Sequence, residues 1–220
     1  FVLFYTGARL TTGSHMSIFI NMAPFYVAIG AHYLLPNDQL HLVKALGLLM
    51  AFLGVVALFS NDVLVQKAGY WRGDVLVLLG AGMWAANTVY VKRTLSYTMS
   101  PFRVLYIQIL VSTPVLLVIA LLTEKDWFFN VTAYTIGALL FQAMVVVVFT
   151  YMMWLVLLKR FSATALQSFT FLTPVWGVFF GIVLLGDEAQ ALMLAGIALV
   201  GLGLYLINRP RASTARGVAS

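Results

Sequence analysis

The sequence has 220 residues, of which 62% are hydrophobic and 9% charged, with a net charge of +6 and no cysteine. Charged residues make up about a quarter of an ordinary soluble domain, so a chain this apolar lacks the polar surface to cover itself in water. The missing cysteines exclude disulfides, thiolate chemistry and cysteine-based metal sites, and the basic residues, gathered at the ends of apolar runs and in the tail, follow membrane topology and argue for no nucleic-acid partner.

As helices rising ~1.5 Å per residue, runs of about twenty nearly uncharged residues each cross a ~30 Å hydrocarbon core. A stub at Phe1–Ala8 comes first. Full spans are predicted at Ser14–Leu35, His41–Ser60, Gly73–Val91, Phe102–Thr123, Ala133–Leu158, Thr164–Leu185 and Gln190–Asn208. The fold class expected is therefore all-α: a polytopic helical membrane protein with seven full transmembrane helices plus a stub. The loop Glu124–Thr132 carries Trp127, Phe128 and Phe129, ring types that collect at the headgroup boundary. The basic tail Arg209–Ser220 has no apolar face and reads as disordered. The chain opens on Phe1 inside an apolar run, with no signal peptide, and reads as a piece whose N-terminal part is missing.

Phe161–Arg209 repeats the plan of Leu10–Ser60. Pro174 lies 150 positions after Pro24, Leu184-Leu185 lie 150 after Leu34-Leu35, and Asp187-Glu188 stands where Asn37-Asp38 stands. Gly47 and Gly54 then match Gly196 and Gly203 at an offset of 149. The first copy covers residues 1–60, a linker 61–72, the complete second copy 73–208, and the tail 209–220.

Lys and Arg counting orients the copies. Lys44, Lys92, Arg93, Arg103, Lys159, Arg160, Arg209, Arg211 and Arg216 share one side, against Arg9, Lys67, Arg72 and Lys125 on the other, nine to four. The first side, with the C-terminus, is expected in the cytoplasm. The Pro174 helix lies five helices after the Pro24 helix, an odd number, so the copies are inverted in the membrane, as in many secondary transporters. Two five-helix repeats would make ten helices, of which the first repeat shows only its last two and the end of a third.

Polar side chains within apolar spans face protein or a wet cavity rather than lipid. On the Pro174 helix, Thr164, Gln167, Ser168, Phe171 and Pro174 share one face by three-and-four spacing. On the Pro24 helix the matching face carries Ser14, Ser17, Asn21 and Pro24. Trp84, Asn87 and Thr88 cluster on the Gly73 helix, Gln108 and Ser112 on the next, and Gln142 sits midway along the Ala133 helix. Such residues either line a solute pathway or bond helix to helix; their recurrence at equivalent places in both copies favours the pathway. Pro24 and Pro174 each free a carbonyl, of Ile20 and Thr170, and are hinge candidates. The glycines at 47, 54, 177, 181, 196 and 203 suit close helix packing. His15 could exchange a proton, though an isolated histidine near a helix end is more often a hydrogen-bonding residue. Asp187-Glu188 and Asp38 are expected to cap the helix that follows each or to stay in water. No nucleotide loop, H-E-x-x-H or deep carboxylate pair is present, so no enzyme, cofactor or metal site is implied.

Leu158-Lys159-Arg160, Leu172-Thr173-Pro174-Val175, Leu184-Leu185-Gly186-Asp187-Glu188 and then Gly196 and Gly203 resemble the end of an EamA domain, and Trp84-Ala85 also fits. The chain thus resembles EamA-type permeases of the drug/metabolite transporter superfamily over all but its tail. It departs from them in having Pro36-Asn37-Asp38 where the family usually has a Gly-Glu turn. The resemblance implies inverted five-helix repeats with both termini cytoplasmic and movement of small organic solutes, often export, across the bacterial inner membrane. It puts a central pocket among the first four helices of each repeat and leaves the glycine-rich fifth helices at the periphery as a candidate homodimer contact.

The reading is therefore a transporter working by alternating access, its partners a small organic solute and the lipid bilayer. Asn21, Trp84, Asn87, Gln108, Gln142, Gln167 and Phe171 are the leading lining residues, with Ser14 and Ser17 beside them. The alternative is a truncated, non-transporting structural or signalling membrane protein.

Overall fold

Every apolar run assigned to the membrane is helical in the computed structural model, which describes residues 2–60, 70–97, 99–123, 131–186 and 191–209. The helices are α1 (Val2–Ala8), α2 (Gly13–Ile20), α3 (Ala23–Leu34), α4 (Leu42–Leu58), α5 (Trp71–Tyr97), α6 (Pro101–Thr123), α7 (Ala133–Phe141), α8 (Tyr151–Arg160), α9 (Ala163–Ser168), α10 (Leu172–Phe180) and α11 (Ala191–Asn208). Taken through their local irregularities they make six membrane-length segments of 18 to 28 residues. The seventh expected span, α4, has 17 residues, about 25 Å of helix. The aromatic loop at Trp127–Phe129, the acidic turn Asp187-Glu188 and nearly all of the linker and tail lie outside the described residues.

Two compact units divide the chain: Phe1–Asn87 with Ala163–Ser220, and Thr88–Ser162. The first is built on the antiparallel pair α4–α11. Were Gly54 given a Cβ, it would lie 2.6 Å from the carbonyl oxygen of Gly196; on Gly203 it would lie 2.6 Å from that of Gly47. Lipid supplies no hydrophobic drive between helices, so such backbone approach, with the dispersion contacts it brings, is what holds them. Gly47 meets Gly203 and Gly54 meets Gly196, and in the repeat Gly47 corresponds to Gly196 and Gly54 to Gly203. Each glycine therefore packs against the counterpart of the other, the arrangement a two-fold axis in the membrane plane produces. Leu48, Ala51, Val55, Val200, Leu204 and Ile207 form a core along this seam, joined by Ile18, Ala28 and Phe171. Gly47, Gly54, Gly196 and Gly203 thus pack within the chain, as their spacing predicts.

In the second unit, α6 and α8 pack together, and most of the apolar side chains on α6, α7 and the segment after it face outward, as bilayer-facing helices do. Tyr151 Oη donates to Gln108 Oε1 at 3.0 Å. α5 runs past its expected end at Val91 because Lys92 is held: its Nζ donates to the carbonyls of Leu158 and Phe161 at 2.7 and 2.8 Å. A cation on the last carbonyls of α8 complements both the unpaired oxygens and the helix dipole. Gln142–Thr150 is π-helical, with Thr150 Oγ1 donating to Val145 O five residues back at 2.9 Å. Four consecutive valines, Val145–Val148, crowd this stretch with β-branched side chains that fit an α-helix poorly.

Candidate functional site

The Pro24 and Pro174 spans are each interrupted just before the proline, whereas Pro114 lies inside the unbroken α6. Lacking an N–H, Pro24 leaves the Ile20 carbonyl without its intrahelical donor, and Pro174 does the same to Thr170. In the first copy the α-helix stops at Ile20 and resumes at Ala23, with Asn21 N donating to Ile18 O at 3.1 Å in a tightened turn. In the second, Phe169–Phe171 is a 3₁₀ turn between α9 and α10. The 150-residue offset carries the Asn21–Met22 break onto 171–172, so the two breaks overlap at one position and lie within two residues of each other.

Beside these breaks lies a cavity of about 860 Å³, within the range of small-molecule sites. All of its lining residues belong to the first unit. Its long walls come from equivalent positions: Ser17, Ile20 and Ala23 from the first copy, Gln167, Thr170 and Thr173 from the second, with Pro174 beside them. Phe4, Tyr5, Phe59 and Trp84 add aromatic surface, and no lining residue is charged.

Two lining side chains hold open acceptors. Asn21 Nδ2 donates to Ser17 O at 2.6 Å, and its Oδ1 is buried without a partner; Gln167 Oε1 is likewise buried and unpartnered. An unmet buried acceptor costs ~1–3 kcal/mol. The rings supply apolar surface to the cavity.

Of the residues singled out from the sequence, Ser17, Asn21, Trp84, Gln167 and Pro174 meet at this cavity. Ser14, half-buried, sits one turn before Ser17 and does not line it, and Asn87 is exposed on α5. Pro24 is buried at the start of α3. Phe171 is fully buried in the core, its ring 6.4 Å from that of Phe25 and edge-on to it. Gln108 and Gln142 lie in the second unit, with Gln142 exposed at the start of the π-helical stretch. Gly177 lines the cavity with nothing within 4 Å of a would-be Cβ, so it is not the packing glycine expected from its spacing. The residues that sequence reasoning passed over are Thr170, Thr173 and Gly177, together with Phe4 and Tyr5 on the stub. The stripe 167–170–173–177 is a helical face too, rotated from the one through Thr164, Ser168 and Phe171, and its two threonines were the available signal.

Asp38 corrects another expectation. It does not cap α4, whose N-cap is His41, with Nδ1 accepting from Lys44 N at 3.1 Å. Instead its buried carboxylate accepts Lys44 Nζ through one oxygen and Thr164 N, 126 residues away, through the other, both at 2.8 Å. It thereby pins the N-terminus of α9 to the turn after α3.

Residues 71–209 match the EamA-like transporter family. An uncharacterized transporter of Bacillus subtilis, YoaV, is 21% identical over 91% of this chain and 68% of its own length. A probable amino-acid metabolite efflux pump of Salmonella typhimurium is 28% identical over 83% of this chain and 62% of its own. A solved crystal structure shares the fold with a TM-score of 0.78 at 16% identity, covering 94% of this chain and 70% of that one. With the family matched over more than half its residues and apolar helices of membrane length throughout, the chain is a multi-pass membrane protein of the EamA-like transporter family.

Proposed function

We propose that this protein moves small organic solutes across the bacterial inner membrane by alternating access, as an exporter, with its C-terminus in the cytoplasm and the bilayer as its surroundings. One observation carries the reading: both inverted copies contribute the same three positions to a single uncharged cavity. If the two copies exchange conformations, that cavity can face either side while its walls keep their composition. Pro24 and Pro174 stand next to the breaks about which the walls would bend. The unpartnered amide oxygens of Asn21 and Gln167, once turned toward the cavity, and the rings of Trp84 and Phe59 suit a neutral or zwitterionic solute with N–H or O–H donors and an apolar body. The related efflux pump from Salmonella, described as handling amino-acid metabolites, supports that class.

Flux into vesicles containing the natural full-length protein, measured over a broad panel of metabolites and drugs, tests the proposal. Transport of at least one neutral or zwitterionic solute is expected; no flux across the panel would leave the structural or signalling reading. Gln167→Leu should lower flux about tenfold, the worth of one buried hydrogen bond, with little change in thermal midpoint. Equal loss of folding and flux would mean that Gln167 holds helices together instead.

A further inference from the structure

Away from the amides of the cavity, a second polar cluster lies at the junction of α1, α2 and α5, with the Asp74 side chain 14% exposed. His15, in the first turn of α2, is 4% exposed. Its Nδ1 lies 3.0 Å from Asp74 Oδ2, in the first turn of α5. Asp74 Oδ1 accepts the hydroxyl of Thr11, and the Thr12 hydroxyl accepts His15 N at 3.2 Å. The imidazole is packed by the rings of Tyr70, 5.7 Å away, and Phe19, 6.1 Å away. Its other nitrogen, Nε2, is buried with no hydrogen-bond partner. A Cβ on Gly73 would come within 2.8 Å of Gly7 O, so the start of α5 is pressed onto the turn between α1 and α2. These three helices also supply Phe4, Tyr5, Met16, Ser17 and Trp84 to the cavity wall.

We propose that His15 and Asp74 form a proton-binding site whose occupancy controls access to the cavity. A pair serving only as a brace needs the Nδ1–carboxylate bond alone, and the buried, unpartnered Nε2 has no part in it. With Nδ1–H donated to Asp74, the proton taken from water goes to Nε2, the remaining basic nitrogen. The pair then changes from a net charge of −1 to zero. A net charge at a junction packed by aromatic rings draws in more water than a neutral pair does. Proton binding therefore favours the sealed junction, and proton loss favours its hydration and the parting of α2 from α5.

Among the described residues, Asp74 and Tyr70 are the titratable groups meeting His15 from the α5 side. The turn before α2 brings the hydroxyls of Thr11 and Thr12. Arg9 and Arg72 are the charged residues of the neighbouring turns, and the Arg72 guanidinium lies over the Trp71 ring at 5.5 Å. α4, which also packs on α2, carries its one charged residue, Lys44, in its first turn at the far end.

The test needs no solute. Because the chain has no cysteine, Met193→Cys places a unique thiol on the cavity wall contributed by α11. Its maleimide labelling rate in nanodiscs is divided by the rate for the same thiol in a His15→Gln background, which cancels thiolate ionisation. The ratio is expected to rise about fivefold from pH 5.5 to pH 8, the lower end of ordinary coupling between sites, and to stay flat when Asp74→Asn replaces the native aspartate. A flat ratio in the native background overturns the proposal. A second measurement covers variants that fail to fold: ¹⁵N-histidine NMR on the chain carrying His32→Gln and His41→Asn, which leaves His15 as the reporter. A change of imidazole charge between pH 5 and 8 is expected; a fixed neutral tautomer overturns the site. Absence of flux in the vesicle panel would leave both results standing, whereas a flat ratio in a protein that transports would remove the proton site alone.

Discussion

Asp38 anchors a buried ion pair and a backbone amide in the first unit. Its carboxylate is 3% exposed and the paired Lys44 side chain 11%, so removing one partner leaves the other charge buried. Asp38→Ala should lose ~3–5 kcal/mol, because it abandons both the ammonium and the first amide of α9. Asp38→Asn keeps an oxygen for Thr164 N and should lose less. Thermal unfolding in nanodiscs would rank the three proteins, with native most stable, Asn next and Ala last. The aspartate was visible in the sequence, but its partner was not. Local pattern suggests a cap for the following helix, and only the folded chain brings a residue 126 positions away to the same carboxylate. Gln167 and Asn21 were easier to read, because an amide deep in an apolar run must face something other than lipid.

Two kinds of element behaviour follow from single residues. The breaks at Asn21–Met22 and Phe169–Phe171 trace to prolines three positions further on, and so were legible from spacing. Pro174→Ala restores a donor for the Thr170 carbonyl and should let α9 and α10 join into one α-helix. Thermal stability is expected to hold or rise while flux falls, and flux kept at the native level would remove the hinge role. Glycines were harder to interpret, because spacing alone does not say which have a neighbour. Gly54→Ala places a Cβ 2.6 Å from a backbone carbonyl that cannot move aside and should cost ~1–3 kcal/mol by overpacking. Gly201→Ala, in α11 with nothing within 4 Å, should be neutral or slightly stabilising through helix propensity. Comparing the two thermal midpoints checks the assignment. Gly186 is different again: it ends the π-helical turn at φ 77°, a left-handed conformation that other residues adopt only with strain.

At the scale of the whole molecule, the inverted repeat was the most legible feature. Apolar runs set the number of helices, and Lys and Arg counting gives the direction expected of each. The face of the Pro174 helix that lines the cavity was less legible. Thr164, Ser168 and Phe171 are as polar or as large as the lining residues, yet they point into the protein, and periodicity cannot separate two polar faces of one helix. Of the His15–Asp74 pair only the histidine stood out, as a residue able to exchange a proton; its partner lies 59 positions away, unremarkable in its own run.

The α4–α11 seam carries a consequence for assembly. Because every glycine there meets the counterpart of its partner, the joint is isologous in the sense used for symmetric dimers: one surface complementary to itself. Two separate copies inserted into a membrane in opposite directions could make the same joint. Carrying both copies on one polypeptide fixes their stoichiometry at one to one and their orientations as opposed, so the cavity's matched walls are guaranteed by covalent connection rather than by chance encounter in the bilayer.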